Sequence, residues 1–378
     1  DIPMMRSLWI AKKGKRIIAL TLLPDAKKKR IEIKITEQPS TKISDAGTIK
    51  RGSVSCPCCG FVTPVSSVRM QMKKRRGGAN DAKMMVVVTN ITTERVCQNK
   101  KEEFEEPRRY YREASPSDVE AFNKAALELG KRKDNYKGNL SLVPEELLPI
   151  NPSLNDSEST LGFRIQGYGM TKWNHLFSDR ELLCLSTLIK HLHKLPELKD
   201  KKFDDALRTM LALAIDRQAD YLTSLTVWAN NGEFIAHTFG RQAIPMIWDF
   251  PECQIFQRFS GNWEGAFEWV ALVIEKIACE FKSIGTSQIS DATNHPMPDD
   301  SIACFFTDPP YYDAVPYADL SDFFYVWLKR SIGDIHPDLF KAELTNKKDE
   351  CIVDEMKGKE REYFEKTMGK AMDEGRRI

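Results

Sequence analysis

The stretch Ile302-Ala303-Cys304-Phe305-Phe306-Thr307-Asp308-Pro309-Pro310-Tyr311 decides how this chain is read. A run of small and apolar residues stops at an acid, two prolines and an aromatic ring. An apolar run of that length ending in prolines predicts a buried strand of a parallel sheet, covered on both faces. In an open α/β sheet, ligands bind at the carboxyl ends of the strands. The expected fold class is therefore α/β, with Asp308, Pro309, Pro310 and Tyr311 at a site edge.

Those four residues are equipped to hold a planar amine. The exocyclic amine of a nucleobase is a poor nucleophile, because its lone pair is delocalised into the ring. A carboxylate and a carbonyl stiffened by proline supply two acceptors for its N–H hydrogens. A base that reacts there must leave the duplex stack, and an aromatic ring offers it a new stacking face. Asp308, the Pro309 carbonyl and Tyr311 match these roles. The competing reading is a strand-ending Asp-Pro-Pro turn with a buried tyrosine. The following loop, Tyr312 to Asp319, is rich in rings and acids. Upstream, Asp291-Ala292-Thr293 precedes Pro296-Met297-Pro298-Asp299-Asp300. That order resembles S-adenosylmethionine-dependent methyltransferases, in which the first acid accepts from the adenine amine of the donor. Asp291 also reads as a plain turn or capping acid.

The chain has 378 residues, 42% hydrophobic and 29% charged, enough for two or three domains. No apolar stretch reaches the length of a membrane span, and no signal peptide opens the chain, so no membrane role is expected. Nine cysteines without a secretory signal point to a reducing, cytoplasmic setting. Cys184, Cys253 and Cys279 read as buried thiols. Net charge is +2 but unevenly spread. Residues 1–113 hold 25 Lys and Arg against 12 Asp and Glu, and the rest holds 31 against 42. This asymmetry points to a polyanion partner for the first part, DNA above all, although solvated lysines on strand edges give the same count.

Four regions follow. Residues 1–113 read as a basic, β-rich module. Arg16 to Leu22 and Arg30 to Thr36 alternate as strands of a hairpin or meander. Cys56-Pro57-Cys58-Cys59-Gly60 is a tight knuckle. Lys73, Lys74, Arg75 and Arg76, before Gly77-Gly78, read as a flexible basic loop and candidate phosphate contact. Met84 to Val88 reads as a strand, and Lys101 to Glu113 as solvated helix or linker. Residues 114–160 form a linker with one helix from Ala114 to Leu129. Residues 161–285 are helical: a capping box at Ser178 to Glu181 opens one helix, and Phe203 to Leu225 and Asn262 to Phe281 form two more. Residues 286–378 carry the apolar strand, then helices from Leu320 to Ile332 and Met356 to Arg377. No internal repeat is visible. His191 and His193, two apart on a helix, point apart and are no metal pair. No Ser-His-Asp or HExxH arrangement occurs.

Several separated stretches resemble prokaryotic adenine-specific DNA methylases that contain a zinc ribbon. They are Ile2 to Trp9, Gly52 to Gly60, Gly167 to Trp173, Asp216 to Tyr221, Phe239 to Met246, Ser260 to Trp263 and Thr307 to Leu320. The resemblance implies an S-adenosylmethionine-dependent DNA adenine-N6 methyltransferase. It also implies a partial Rossmann-like sheet with a zinc-ribbon-like module and a helical insertion, and a restriction or phage-defence setting with other components. RNA or cytosine N4 as substrate, and a non-catalytic zinc-ribbon DNA-binding subunit, are the alternatives. Trp248-Asp249-Phe250 and Trp263 belong to the resembling region, as packing or as a groove wall.

Two parts of such an enzyme are missing. No glycine-rich donor loop is present; Arg76-Gly77-Gly78 is basic, and Gln166-Gly167-Tyr168-Gly169 follows no strand. A zinc ribbon needs four ligands. Cys56 and Cys59 supply two, Cys58 is a spare, Cys97 is the only other nearby cysteine, and no histidine precedes His175. In the resembled family both missing parts lie ahead of the stretch matching Ile2 to Trp9. The expectation is a central-to-C-terminal fragment that is inactive by itself.

Overall fold

Period-two alternation between Arg16 and Thr36 becomes an antiparallel meander. The computed structural model describes residues 1–39, 47–91, 108–149, 161–280, 283 and 285–378. Strands β1 (Trp9–Lys13), β2 (Arg16–Asp25) and β3 (Arg30–Glu37) lie in that order. Leu20 faces Ile35 and Leu22 faces Ile33, so one face of the meander is apolar and packs with Met5, Leu8 and Ile10. Strands β4 (Ile49–Lys50), β5 (Ser53–Ser55) and β6 (Val62–Thr63) form a second small antiparallel sheet around the cysteine knuckle.

Helix α1 (Val65–Arg75) absorbs the segment read as a flexible basic loop. Val68 and Met72, one turn apart, are its buried residues. Lys73, Lys74 and Arg75 lie in its last turn, where cations oppose the negative end of the helix dipole. Arg76 caps it in the left-handed region at φ 52°, and the Gly77 N–H then donates to Tyr168 O at 3.0 Å. A Cβ on Gly77 would sit 2.7 Å from that carbonyl, so this close approach requires glycine.

Strands β7 (Val86–Ile91) and β8 (Arg108–Glu113) pair antiparallel. Arg108 to Glu113 is therefore not helix or linker: Tyr111 is buried there, and its hydroxyl donates to Glu233 Oε1 at 2.6 Å. Residues 101–107 of that charged run, and Cys97, lie outside the described residues. Helix α2 (Pro116–Asn135) starts at a Ser115–Asp118 capping box.

Helix α3 (Asp179–His193) starts at the expected box: Ser178 N donates to Glu181 Oε2 at 2.7 Å, and Glu181 N to Ser178 Oγ at 3.2 Å. Helix α4 (Lys201–Tyr221) buries Ala212, Ile215 and Ala219, while Leu207 is exposed. The hairpin β9 (Val227–Ala229) and β10 (Phe234–Ala236) interrupts the region read as all-helical. It anchors the first sheet, because Trp228 Nε1 donates to Ile10 O at 2.6 Å and Arg16 pairs with buried Glu233 at 3.1 Å. Helix α5 (Trp263–Glu280) packs on α4 but exposes Phe267, Trp269, Leu272, Val273, Ile274 and Ile277. Cys279 at its end is exposed rather than buried, whereas Cys184 and Cys253 are half-buried.

Helix α6 (Tyr317–Ile332) enters the main core, and α7 (Arg361–Arg377) ends the chain. Phe323 of α6 stacks on Phe177 at 5.7 Å and meets Trp173 edge-on at 6.2 Å; Trp327 meets Phe177 edge-on at 5.4 Å. These rings tie α6 to the segment before α3.

The run Ile302 to Thr307 is not a buried parallel strand. It is irregular and largely exposed, with Phe306 94% accessible. A parallel strand exists only through hydrogen bonds to neighbours in its sheet. The ten described strands pair antiparallel among themselves, in four small sheets, and none pairs with this run. Its start is anchored, because Ser301 N and Ile302 N donate to Ile378 O at 2.5 and 2.9 Å. The fold is mixed α and β, built of small antiparallel sheets and helices.

Candidate active site

Pro309 and Pro310 restrict the backbone after Asp308, and the chain then turns sharply. Tyr312 N donates to Pro310 O at 3.0 Å, and Ala314 N to Tyr311 O at 2.8 Å. Tyr312 takes the left-handed region at φ 44°. Val315 then sinks into the core, and α6 begins after Pro316. Asp308 is exposed and makes no hydrogen bond or ion pair with the described residues. Tyr311 is 53% accessible, not buried, and lies edge-on to Tyr317 with ring centroids 6.3 Å apart. The loop thus offers an uncommitted carboxylate and two half-exposed rings within ten residues.

A segment that the sequence reading passed over meets this loop at Tyr312 and the start of α6 beyond it. Val353 N donates to Tyr312 O at 3.0 Å, and Ala318 N donates to Glu350 Oε1 at 2.7 Å. Lys347 pairs with buried Asp322 at 2.6 Å, and Lys357 pairs with buried Asp319 and, at 3.3 Å, with Asp354. Burial pushes Lys357 toward neutrality, but the Asp319 and Asp354 carboxylates outweigh it and hold the ammonium above the ordinary lysine value. Burial raises Glu350, against the opposing bond from Ala318 N–H. Mixed charge at Lys347 to Lys359 was the available signal, but such runs are ordinarily solvated.

Asp291 is exposed and closes a turn. Its Oδ1 accepts from Thr293 N and Thr293 Oγ1, both at 2.8 Å, and the Thr293 backbone N–H leads in holding the carboxyl below its ordinary value. That is the turn-acid arrangement. No glycine-rich cradle for S-adenosylmethionine lies among the described residues, so they do not fit the donor. A cavity of about 700 Å³ lies elsewhere, lined by apolar residues that include Leu188, Leu192, Leu211, Ile215 and Trp263. Arg180, Cys184 and His191 also line it, but Asp291, Asp308 and Tyr311 do not, and we do not assign it to the donor.

The cysteine knuckle fits half a metal site. Gly60 N donates to Cys56 O at 2.9 Å, closing the turn. The backbone N–H groups of Cys59 and Cys58 hold the Cys56 thiol below its ordinary value, and the Cys59 side chain bonds to it. Two cysteines are half of the four ligands that a structural zinc takes. Among the described residues, no group of three or more His, Cys, Asp or Glu side chains assembles.

The basic residues are partly committed. Arg75 pairs with Asp81 at 2.6 Å, and Arg76 bonds to Asn80. Lys74 is exposed at the end of α1. Comparison with protein-family models, with curated proteins and with solved structures finds no match to this chain.

Proposed function

We propose that this chain carries the substrate side of a DNA adenine-N6 methyltransferase that takes its methyl group from S-adenosylmethionine. One observation carries the reading: Asp308 is an exposed carboxylate without a partner among the described residues, three residues from the half-exposed ring of Tyr311. A carboxylate so free accepts an amine hydrogen without first breaking a bond of its own. In this reading Asp308 and the Pro309 carbonyl hold the adenine amine, with Pro310 stiffening the turn. Tyr311 stacks the flipped base. The S-adenosylmethionine supplies the methyl when bound. The residues that hold it, and the rest of a Rossmann-like sheet beside Ile302 to Thr307, belong to a longer protein in this proposal.

The exposed apolar side of α5 and the unpaired apolar run before Asp308 support that division. The basic first module, including Lys73, Lys74, Arg75 and Arg76, contacts DNA phosphates. Cys56 and Cys59 form half of a zinc ribbon. A restriction or phage-defence setting rests on the resemblance alone.

The deciding measurement is methyl transfer to DNA by the full-length protein. Asp308→Ala is expected to abolish it, and retained wild-type activity would sink the assignment. Calorimetric titration with S-adenosylmethionine separates the rival reading: no binding by the full-length protein favours a non-catalytic DNA-binding subunit. RNA and cytosine-N4 substrates are tested in the same transfer assay.

A further inference from the structure

Residues 345–359 touch the amine-holding loop at Tyr312 and the first two turns of α6 at Ala318, Asp319 and Asp322. Thr345 Oγ1 donates to Ala318 O at 2.7 Å, and Thr345 N donates to Asp322 Oδ1 at 2.9 Å. Lys347 pairs with the same Asp322. Glu350 takes the Ala318 N–H, Val353 N–H takes the Tyr312 carbonyl, and Lys357 takes Asp319. The segment is itself tied into a closed shape. Lys359 Nζ donates to the carbonyls of Lys347, at 2.7 Å, and Glu350, at 2.5 Å, and Asp354 and Lys359 exchange backbone bonds. Behind it, Tyr312 packs edge-on to Phe364 of α7 at 4.7 Å. The contacts leave Asp308 and Tyr311 uncommitted and seize the residues around them: Tyr312, Ala318, Asp319 and Asp322. A bare loop of Asp, Pro and Tyr has many orientations of its ring, and fixing one of them requires outside contacts of this kind.

We propose that residues 345–359 are a positioning strap for the Asp308–Tyr317 loop, acting through Lys357 on Asp319, Glu350 on Ala318 and Val353 on Tyr312. This rests on the reading of that loop as the nucleobase site. The strap touches no substrate. It holds the backbone at Tyr312 and the start of α6, and so fixes the two ends of the turn that carries the Tyr311 ring.

Two measurements on the 378-residue chain test it. The first is amide hydrogen exchange of the 311–320 peptide. Lys357→Met is expected to speed it at least tenfold while peptides of α3 and α4 stay at wild-type rates, and Lys357→Arg is expected to restore protection. Unchanged exchange at 311–320 overturns the strap. Thr345→Val, which removes one hydroxyl and keeps the volume, serves if Lys357→Met does not fold; at least a threefold rise is expected, and no rise overturns the proposal.

The second is binding of a single-stranded oligonucleotide with 2-aminopurine in place of one adenine. Lys357→Met is expected to lose most of the stacking quench, and Lys357→Arg to restore it. A quench that stays at the wild-type level in Lys357→Met overturns the positioning role. A wild-type chain that binds without quench refutes the nucleobase site instead, and the exchange result still judges the strap.

Discussion

The rings of Tyr311 and Tyr317 lie 6.3 Å apart with their planes inclined by 70°, and each is more than one-third accessible. An edge-on pair leaves one face of a ring open, which is the geometry a third ring needs to stack. Tyr317 begins α6, and Tyr311, in the loop before it, is the more exposed ring of the two.

Tyr311→Ala is therefore expected to weaken binding of a single-stranded oligonucleotide with an unpaired adenine by about 1–3 kcal/mol, the usual value of one base–aromatic stack. Tyr311→Phe keeps the π face and is expected to bind like wild type. Fluorescence titration checks both. Equal loss in the two variants would point to the hydroxyl and not to stacking.

The thiols divide by environment. Burial pushes Cys184 and Cys253 up to about 12, whereas backbone N–H groups lower Cys56. The thiolate is the reactive form. At neutral pH, alkylation followed by peptide mass mapping should modify Cys56 well before Cys184 or Cys253. Added zinc should slow the Cys56 reaction. Indifference to zinc would argue against the half-site.

Acid and base act on two half-buried groups in opposite directions. Burial, followed by the nearby Arg76 and Lys172 charges, lowers His175 to about 4 from 6.5. Its Nδ1 accepts from Thr171 N at 3.1 Å, so protonation there sets N–H against N–H. The folded state binds that proton less well than the unfolded state. This contribution to stability is present above pH 6.5 and is lost as pH falls toward 4. Burial raises Asp249 from 3.8 to about 6, against the opposing N–H of Arg6. The folded state prefers that proton, so its contribution is present below pH 3.8 and is lost as pH rises toward 6. His175→Asn, which keeps an acceptor, should remove the acid-sensitive slope. Asp249→Asn should raise stability at pH 7. Urea unfolding at pH 4.5, 5.5 and 7 reads both.

Arg330 and Glu146 form a buried pair at 2.9 Å, with both side chains less than 10% accessible. Arg330 also donates to the Ser141 and Val143 carbonyls, so it clamps the 141–146 segment to α6. Glu146→Ala strands a buried guanidinium and should cost about 3–5 kcal/mol. Glu146→Ala with Arg330→Met should recover much of that, because no unpaired charge remains. A double variant as weak as the single one would contradict this account. Thermal unfolding measures the cycle.

The local signals in this sequence are those that need few neighbours to act. The Ser178–Glu181 box, the alternation of Arg16 to Thr36 and the apolar spacing along α6 each close their own bonds or faces, and each element forms near its expected place. Lys73 to Arg76 was misread because basic residues next to glycines suit a loop equally well. The buried contacts of Val68 and Met72 decide for helix.

Ile302 to Thr307 is the reverse case. Its composition suits a parallel strand, but a strand is a relation between chains, and no described strand stands beside it. At the candidate site the sequence alone marks Asp308 and Tyr311, since the proposed chemistry calls for those side chains whatever surrounds them. That Lys357 and Glu350 brace the start of α6 behind this loop depends on contacts 30 or more residues apart. Such contacts leave no periodic trace in the chain, so only the tertiary structure decides them.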